Sequence, residues 1–299
     1  MLVAYGTDNQ PIIADKTALE QLQRWSRERV LRCPNCRGIV HIRGGEGKMM
    51  QLHFAHQRGE CAWSTETESV RHMHGKMVLA QWLREQFPQA HVTLEERLPE
   101  PNRIADIFVM HPDTRQWAIE FQCAPLHYAE WRHRHEAYRK ANIKDIWIVG
   151  DNRREKHESF IEAILTTTRE VVFLDPLAIP PRLWLRWLVP SDTLQHLQQP
   201  SQLLVECRNL HGDSSATLIS TLNETRINAQ GCISHSIRET LERQTQLLQT
   251  MQHASQVDEK TLVSYLRPYI DDAVMYTVLV PLIKAYTRDP DLMRRYNYG

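Results

Sequence analysis

Two apolar runs, each interrupted by one carboxylate, constrain this chain more than any other feature. Arg103-Ile104-Ala105-Asp106-Ile107-Phe108-Val109 carries Asp106, and Trp117-Ala118-Ile119-Glu120-Phe121-Gln122-Cys123 carries Glu120. Pro112-Asp113-Thr114 between them is turn chemistry, so the runs are expected to be neighbouring strands. The two-residue period of a strand puts Glu120 and Gln122 on one face, opposite Ile119 and Phe121. A carboxylate amid such runs loses hydration, which costs on the order of several kcal/mol unless it is paired or bound to a cation. Two carboxylates meeting on adjacent strands also raise the proton affinity of one of them. A divalent cation relieves both problems, and oxygen ligands with open water positions suit Mg2+ or Mn2+. Such a site can hydrolyse a phosphodiester, because the metal activates a water and stabilises charge building on the phosphate. The Gln122 amide, two residues beyond Glu120, is placed to orient that water.

The flanking pattern supports a mixed α/β core. Residues 66–86 read as an amphipathic helix with a stripe of Val70, Met73, Met77, Ala80 and Leu83. Strands are expected at 91–95, 103–110 and 116–123, a helix at 126–141, a strand at 145–149, a helix at 155–167 and a strand at 170–174. The order is α-β-β-β-α-β-α-β, and its second half implies parallel strands covered by helices. On the first helix, Glu68, His72 and Lys76 recur at i, i+4 and i+8 and share a face offset from the stripe. Glu68 is a candidate to ligate or orient the metal. Lys76 would supply the cation that the E-x-Q strand lacks, and His72 a phosphate contact or proton transfer. Taken singly, that face also reads as solvated surface, and either acid as a strand-end ion pair.

The segment ahead of this core reads Cys33-Pro34-Asn35-Cys36, then His53-Phe54-Ala55-His56. A C-x2-C turn brings two thiolates to one ion, and sulfur with imidazole suits tetrahedral Zn2+. Gly38, Gly44, Gly45 and Gly47 with two short apolar runs suggest a ribbon with too little core to fold alone, so a metal would supply stability. Cys33, Cys36, His53 and His56 are the expected structural zinc ligands. H-x2-H is tighter than usual finger spacing, which keeps Cys61 as a reserve fourth ligand. A metal-free surface C-x2-C is the plainer alternative. A redox pair is disfavoured because Gly38, Val40 and Ile42 suggest strand afterwards.

Length and charge bound the rest. The chain has 299 residues, enough for about two domains. Lys+Arg 36 balance Asp+Glu 36, so a bulk-charge interaction with nucleic acid or acidic lipid is excluded and any contact must be local. Arg132, Arg134, Arg139 and Lys140 on the later helix form a candidate phosphate-binding patch, diluted by Glu130 and Glu136. Trp131 and Tyr138 there read as core. Six sparse cysteines and no visible signal peptide suggest a cytoplasmic protein. The longest apolar stretch, 273–283, is too short to span a membrane. A hairpin is expected from Leu2-Val3-Ala4-Tyr5 and Ile12-Ile13-Ala14, followed by a helix at 16–29. The expected parts are a zinc-binding module at 1–64, the mixed core at 65–176 and a helical region at 177–299, with long helices at 234–252 and 258–287.

The Cys33/Cys36 and His53/His56 pairs, Glu68-Ser69-Val70-Arg71-His72 with Lys76, Arg103 to Ile107, Ile119-Glu120-Phe121-Gln122, Arg134 to Tyr138 and Ile146-Trp147-Ile148-Val149 together resemble the competence protein CoiA family. That family is a branch of the PD-(D/E)xK nuclease-like superfamily, and the likeness covers about residues 1–175. The resemblance implies a restriction-endonuclease-like core with a zinc-binding N-terminal region. It implies a role with DNA, most often incoming single-stranded DNA handled before recombination in natural transformation. By position it makes Asp106 and Glu120 metal ligands, Gln122 the occupant of the superfamily's lysine slot and Glu68 the helix acid. Cys123 stands where the family commonly has a small hydroxyl residue. A repair or phage-defence nuclease would present the same residues. A DNA-binding recombination or uptake mediator that keeps the fold without cutting is the second reading, because the E-x-Q strand lacks the usual lysine. A zinc-containing interaction protein whose C-terminal helices recruit a partner is the third.

Overall fold

The computed structural model describes residues 1–8, 10–34, 36–45, 52–56, 69–100, 102–190, 203–210, 213–253, 263–264 and 267. The chain divides into two compact units, Met1–Trp187 with Thr217–Ile233, and Leu188–Ala216 with Ser234–Gly299.

The first unit begins with the expected hairpin. β1 (Val3–Tyr5) pairs antiparallel with β2 (Pro11–Ile13), Val3 opposite Ile13. Asp15 then caps a short 3-10 turn by accepting the Thr17 amide at 2.9 Å, and α1 (Leu19–Arg27) follows. β3 (His41–Arg43) and β4 (His53–Ala55) form a second antiparallel ribbon. These short elements close over Leu2, Ala4, Leu22, Leu31, Cys33, Val40, Leu52 and Phe54. That cluster is small for a free-standing domain, and it is completed by Met73 from the next helix.

The larger part of the unit is a twisted sheet with helices. Ser69 caps α2 (Val70–Gln86) by accepting the His72 amide at 3.1 Å. β5 (His91–Leu98), β6 (Arg103–Met110) and β7 (Gln116–Gln122) form an antiparallel meander. α3 (Tyr128–Lys140) crosses to β8 (Lys144–Gly150), and α4 (Ser159–Thr168) crosses to β9 (Glu170–Asp175). β7, β8 and β9 run parallel, as crossover helices require. The order α-β-β-β-α-β-α-β is the one read from the periodicity. Ile146, Trp147, Ile148 and Val149 are all buried, the mark of a strand covered on both faces.

The sheet continues where helix was expected. β10 (Arg182–Pro190) pairs antiparallel with β9, Leu183 opposite Leu174. β12 (Asp213–Thr221) lies beyond it, so within the first unit the order is β12, β10, β9, β8, β7, β6, β5. The run from Leu183 to Trp187 is buried at every position, so no face alternates and the strand has no two-residue signature. The second unit contains β11 (Leu203–Leu210) and α5 (Ser236–His253). The helix expected at 234–252 is therefore present, the strands correct the expectation of a helical region from 177 onward, and 258–287 lies mostly outside the described residues. Among the described residues, no helix is long and apolar enough to cross a membrane.

Candidate functional site: an acidic strand pair beside a buried lysine

Close packing of α2 on β7 sets the geometry. Gly75 faces the Phe121 ring, and a Cβ at that position would lie 2.0 Å from Phe121 Cε1. Only glycine lets the helix approach so closely, at a helix-propensity cost of about 1 kcal/mol. One residue on, Lys76 is carried into the interior and is 1% exposed. Lys76 is thus buried rather than solvated, and with His72 one turn earlier it faces Asp106.

The antiparallel register of β6 and β7, Ile107 opposite Ile119, sets Asp106 and Glu120 across from each other one step further along. Asp106 Oδ2 accepts the Phe121 amide at 2.9 Å and lies 3.2 Å from His72 Nε2, while Lys76 Nζ is 3.9 Å from Oδ1. Burial is the largest influence on Asp106 and pushes its carboxyl up. The His72 imidazole, Lys76 and the Phe121 amide together outweigh it and hold the group down at about 2, so Asp106 is ionised. Glu120 is 1% exposed, with Arg134 on one oxygen and the Tyr138 hydroxyl on the other. Burial raises its carboxyl to about 7. Arg134 opposes that rise, and the neighbouring Asp106 charge reinforces it. Two carboxyls on one strand pair therefore differ widely in proton affinity.

A third acid, not identified from the sequence, completes the group. Glu95 on β5 accepts Lys76 Nζ at 2.7 Å and the backbone amides of Leu2 and Val3. Alternation of Val92 and Leu94 into the core points Glu95 outward on paper. Its φ of 52° breaks that alternation, which no residue type announces.

The remaining expected residues fall in different places. The Gln122 amide donates to the Ala124 carbonyl at 2.8 Å, past the end of β7. Glu68 lies outside the described residues. Arg134, expected in the phosphate patch, is turned inward to Glu120 and stacks over Trp147 at 4.8 Å. Arg132 is exposed but bound to Glu136 at 2.7 Å, and Arg139 and Lys140 are exposed on the same helix. Trp131 and Tyr138 are buried.

The Cys/His segment gathers three of its expected ligands. Among the described residues, Cys33, Cys36 and His56 are the one group of three acidic, thiol or imidazole donors whose ligand atoms all lie within 4.8 Å of one another. The turn is closed by Cys33 N–H donating to the Gly38 carbonyl at 2.9 Å, and Cys36 Sγ is 3.6 Å from His56 Nε2. His56 Nδ1 is buried with no hydrogen-bond partner among the described residues, and Nε2 is the ring nitrogen that faces Cys36. His53 is not in the group. It sits in β4 opposite Arg43, and in a strand an odd spacing directs side chains to opposite faces. Cys61 lies outside the described residues.

Residues 68–203 match the family model for the competence protein CoiA nuclease-like domain, and residues 14–64 match that for the CoiA N-terminal domain. The competence protein CoiA of Bacillus subtilis (strain 168) is 31% identical over 141 residues, covering 47% of this chain and 36% of that protein. The chain therefore aligns with about a third of that relative's length. No solved structure matches. Matches to both the CoiA nuclease-like and the CoiA N-terminal models, over the residues that build both sites, place this chain in the CoiA-like family.

Proposed function

We propose that this protein is a metal-dependent nuclease acting on DNA phosphodiesters, with a restriction-endonuclease-like core and a place in natural transformation. The observation that carries the reading is the convergence of Asp106, Glu120 and the buried Lys76 from β6, β7 and α2. The donor set fits a hard divalent cation. Asp106 is ionised and partly open, and the raised proton affinity of Glu120 is what a neighbouring positive charge reverses. Asp106 and Glu120 would hold Mg2+ or Mn2+, with Glu68 as the helix acid. When bound, the ion supplies an activated water and stabilises charge on the phosphate. Lys76 presents a fixed ammonium beside Asp106 for the phosphate oxygens. His72, bonded to Asp106 and stacked on Phe121 with centroids 5.9 Å apart, is held to move a proton or contact phosphate. Arg134 and Tyr138 hold the Glu120 carboxyl in place between them. Arg132, Arg139 and Lys140 provide non-specific phosphate contacts.

Under this reading, residues 1–64 form a structural zinc module held by Cys33, Cys36 and His56, residues 65–176 the nuclease domain, and 177–299 the region that meets a recombination protein. The substrate is single-stranded DNA in the cytoplasm. A DNA-binding mediator that does not cut is the second reading. It is favoured by Gln122 bonding Ala124 rather than facing the acids, and by Arg134 and Tyr138 occupying Glu120. Incubation of the purified protein with single- and double-stranded DNA, with Mg2+ or Mn2+ and then with chelator, separates the two. Metal-dependent cutting lost in Asp106→Ala and Glu120→Ala supports the nuclease. Binding without cutting, unchanged in both variants, supports the mediator.

A further inference from the structure

Glu95 stands out on two independent grounds. It is a non-glycine residue in the left-handed region, φ 52°, in the middle of a strand. The β5–β6 ladder pairs Leu94 with Ile107 and Glu96 with Ala105, and skips the pair between them, Glu95 with Asp106. Backbone strain of this kind persists where surrounding contacts over-determine it. Those contacts are made by the side chain. Both carboxylate oxygens lie 2.9 Å from the Leu2 amide, and Oε2 also accepts the Val3 amide at 3.1 Å. Oε1 takes the Lys76 ammonium at 2.7 Å. One carboxylate thus joins the first strand of the N-terminal module to the lysine beside Asp106.

That strand is tied in turn to the Cys/His segment. Tyr5 and Arg32 exchange backbone hydrogen bonds at 2.8 and 2.9 Å, next to Cys33. The Phe54 amide donates to the Met1 carbonyl at 2.9 Å, two residues before His56. Leu2, Cys33, Phe54 and Met73 of α2 belong to one buried cluster. The path from the Cys/His cluster to Lys76 is therefore continuous through β1 and Glu95.

We infer that Glu95 is a positioning residue that fixes the Lys76 ammonium beside Asp106 only while β1 is docked, so that the N-terminal module latches the nuclease-like site. Calling Lys76 part of a nuclease site rests on the function proposed above, while the latch itself is a property of the fold. A buried ammonium holds its place by its carboxylate partner, and losing that partner drives it towards water. Undocking β1 releases Glu95 from the Leu2 and Val3 amides that fix it and so loosens its hold on Lys76, which retains Asp106 at 3.9 Å.

The test uses the full chain and needs no DNA. Limited acetylation with acetic anhydride, read by mass spectrometry, reports Lys76 against the exposed Lys140 as internal reference. Amide hydrogen exchange reports Leu2 and Val3. Glu95→Ala should raise Lys76 acetylation roughly tenfold relative to Lys140 and reduce protection of both amides by about the same factor. Glu95→Gln, which keeps an oxygen for the amides but not the charge, should restore the amide protection and only part of the lysine's. Leu2→Ala, which loosens β1 without touching Glu95, should raise Lys76 acetylation as well. Where Glu95→Ala fails to fold, Glu95→Gln and Leu2→Ala decide. Lys76 as unreactive in Glu95→Ala and Leu2→Ala as in the parent chain, or reactive in either of those two with Leu2 and Val3 still fully protected, overturns the latch. Loss of the nuclease reading would instead show as absent cutting by the parent chain with these labelling changes intact.

Discussion

Gly75→Ala is the smallest change that should disturb the whole site. In an exposed helix it would stabilise by about 0.5–1 kcal/mol, because alanine loses less backbone entropy than glycine. Here the new methyl would lie 2.0, 2.6 and 2.8 Å from three atoms of the Phe121 ring, all inside van der Waals contact. The ring has little room to retreat, since Phe121 is 1% exposed and its amide is bonded to Asp106. Relief requires α2 and β7 to separate by more than about 1 Å. Overpacking of this kind costs about 1–3 kcal/mol, so the net effect is destabilisation by roughly 1–2 kcal/mol. At this chain size that is a fall in Tm of about 2–8 °C. Urea unfolding followed by tryptophan fluorescence measures it. Because α2 carries His72 and Lys76, separation also moves both away from Asp106, so any cutting activity should fall further than stability alone explains. Gly75→Ala combined with Phe121→Leu should recover part of the lost stability. A Gly75→Ala protein as stable as the parent, or more so, would refute the close packing of α2 on β7.

Three further outcomes follow from the electrostatics and the metal cluster. The Glu120 carboxyl is raised from its ordinary value to about 7, so the folded protein's preference for its protonated form is fully present below about pH 4.5 and is lost as pH rises through about 7. In chelator, Glu120→Gln should therefore gain stability relative to the parent between pH 5 and 8, by up to about 3 kcal/mol, and a constant difference in urea midpoint across that range would contradict it. Asp106 has the opposite sign: its contribution is present above the ordinary aspartate value and is lost as pH falls through about 2, which acid unfolding of Asp106→Asn against the parent reads. Zinc content by elemental analysis should fall to a small fraction in Cys33→Ser and His56→Ala but persist in His53→Ala, and equal loss in all three would return His53 to the ligand set.

The sequence carried the frame of the molecule because local chemistry decides it. The acid-bearing runs around Asp106 and Glu120, the turn at Pro112, the crossover helices and the first hairpin all formed where periodicity and turn residues put them. What escaped depended on contacts between distant segments. Lys76 was expected to supply a cation to the acids, but its burial depends on Gly75 letting α2 sink onto Phe121. Glu95 drew no reading, because nothing in Leu94-Glu95-Glu96 signals a positive φ. Arg134 looked like a phosphate contact until packing of α3 on β7 turned it to Glu120, fourteen residues away. His53 was grouped with His56 by spacing, and strand parity separated them. The strands after 177 were missed because Leu183 to Trp187 is buried on both faces and the Thr- and Gln-rich stretch beyond it has no clear period.

The proposed chemistry requires Asp106 and Glu120 to hold one divalent ion between paired strands. Direct titration of the purified 299-residue chain with Mn2+, followed by electron paramagnetic resonance, tests this without any substrate. One Mn2+ site is expected in the parent chain, weakened at least about tenfold in Asp106→Asn and in Glu120→Gln, and untouched by His53→Ala. Mn2+ binding of equal affinity in the parent and in both acid variants would contradict it.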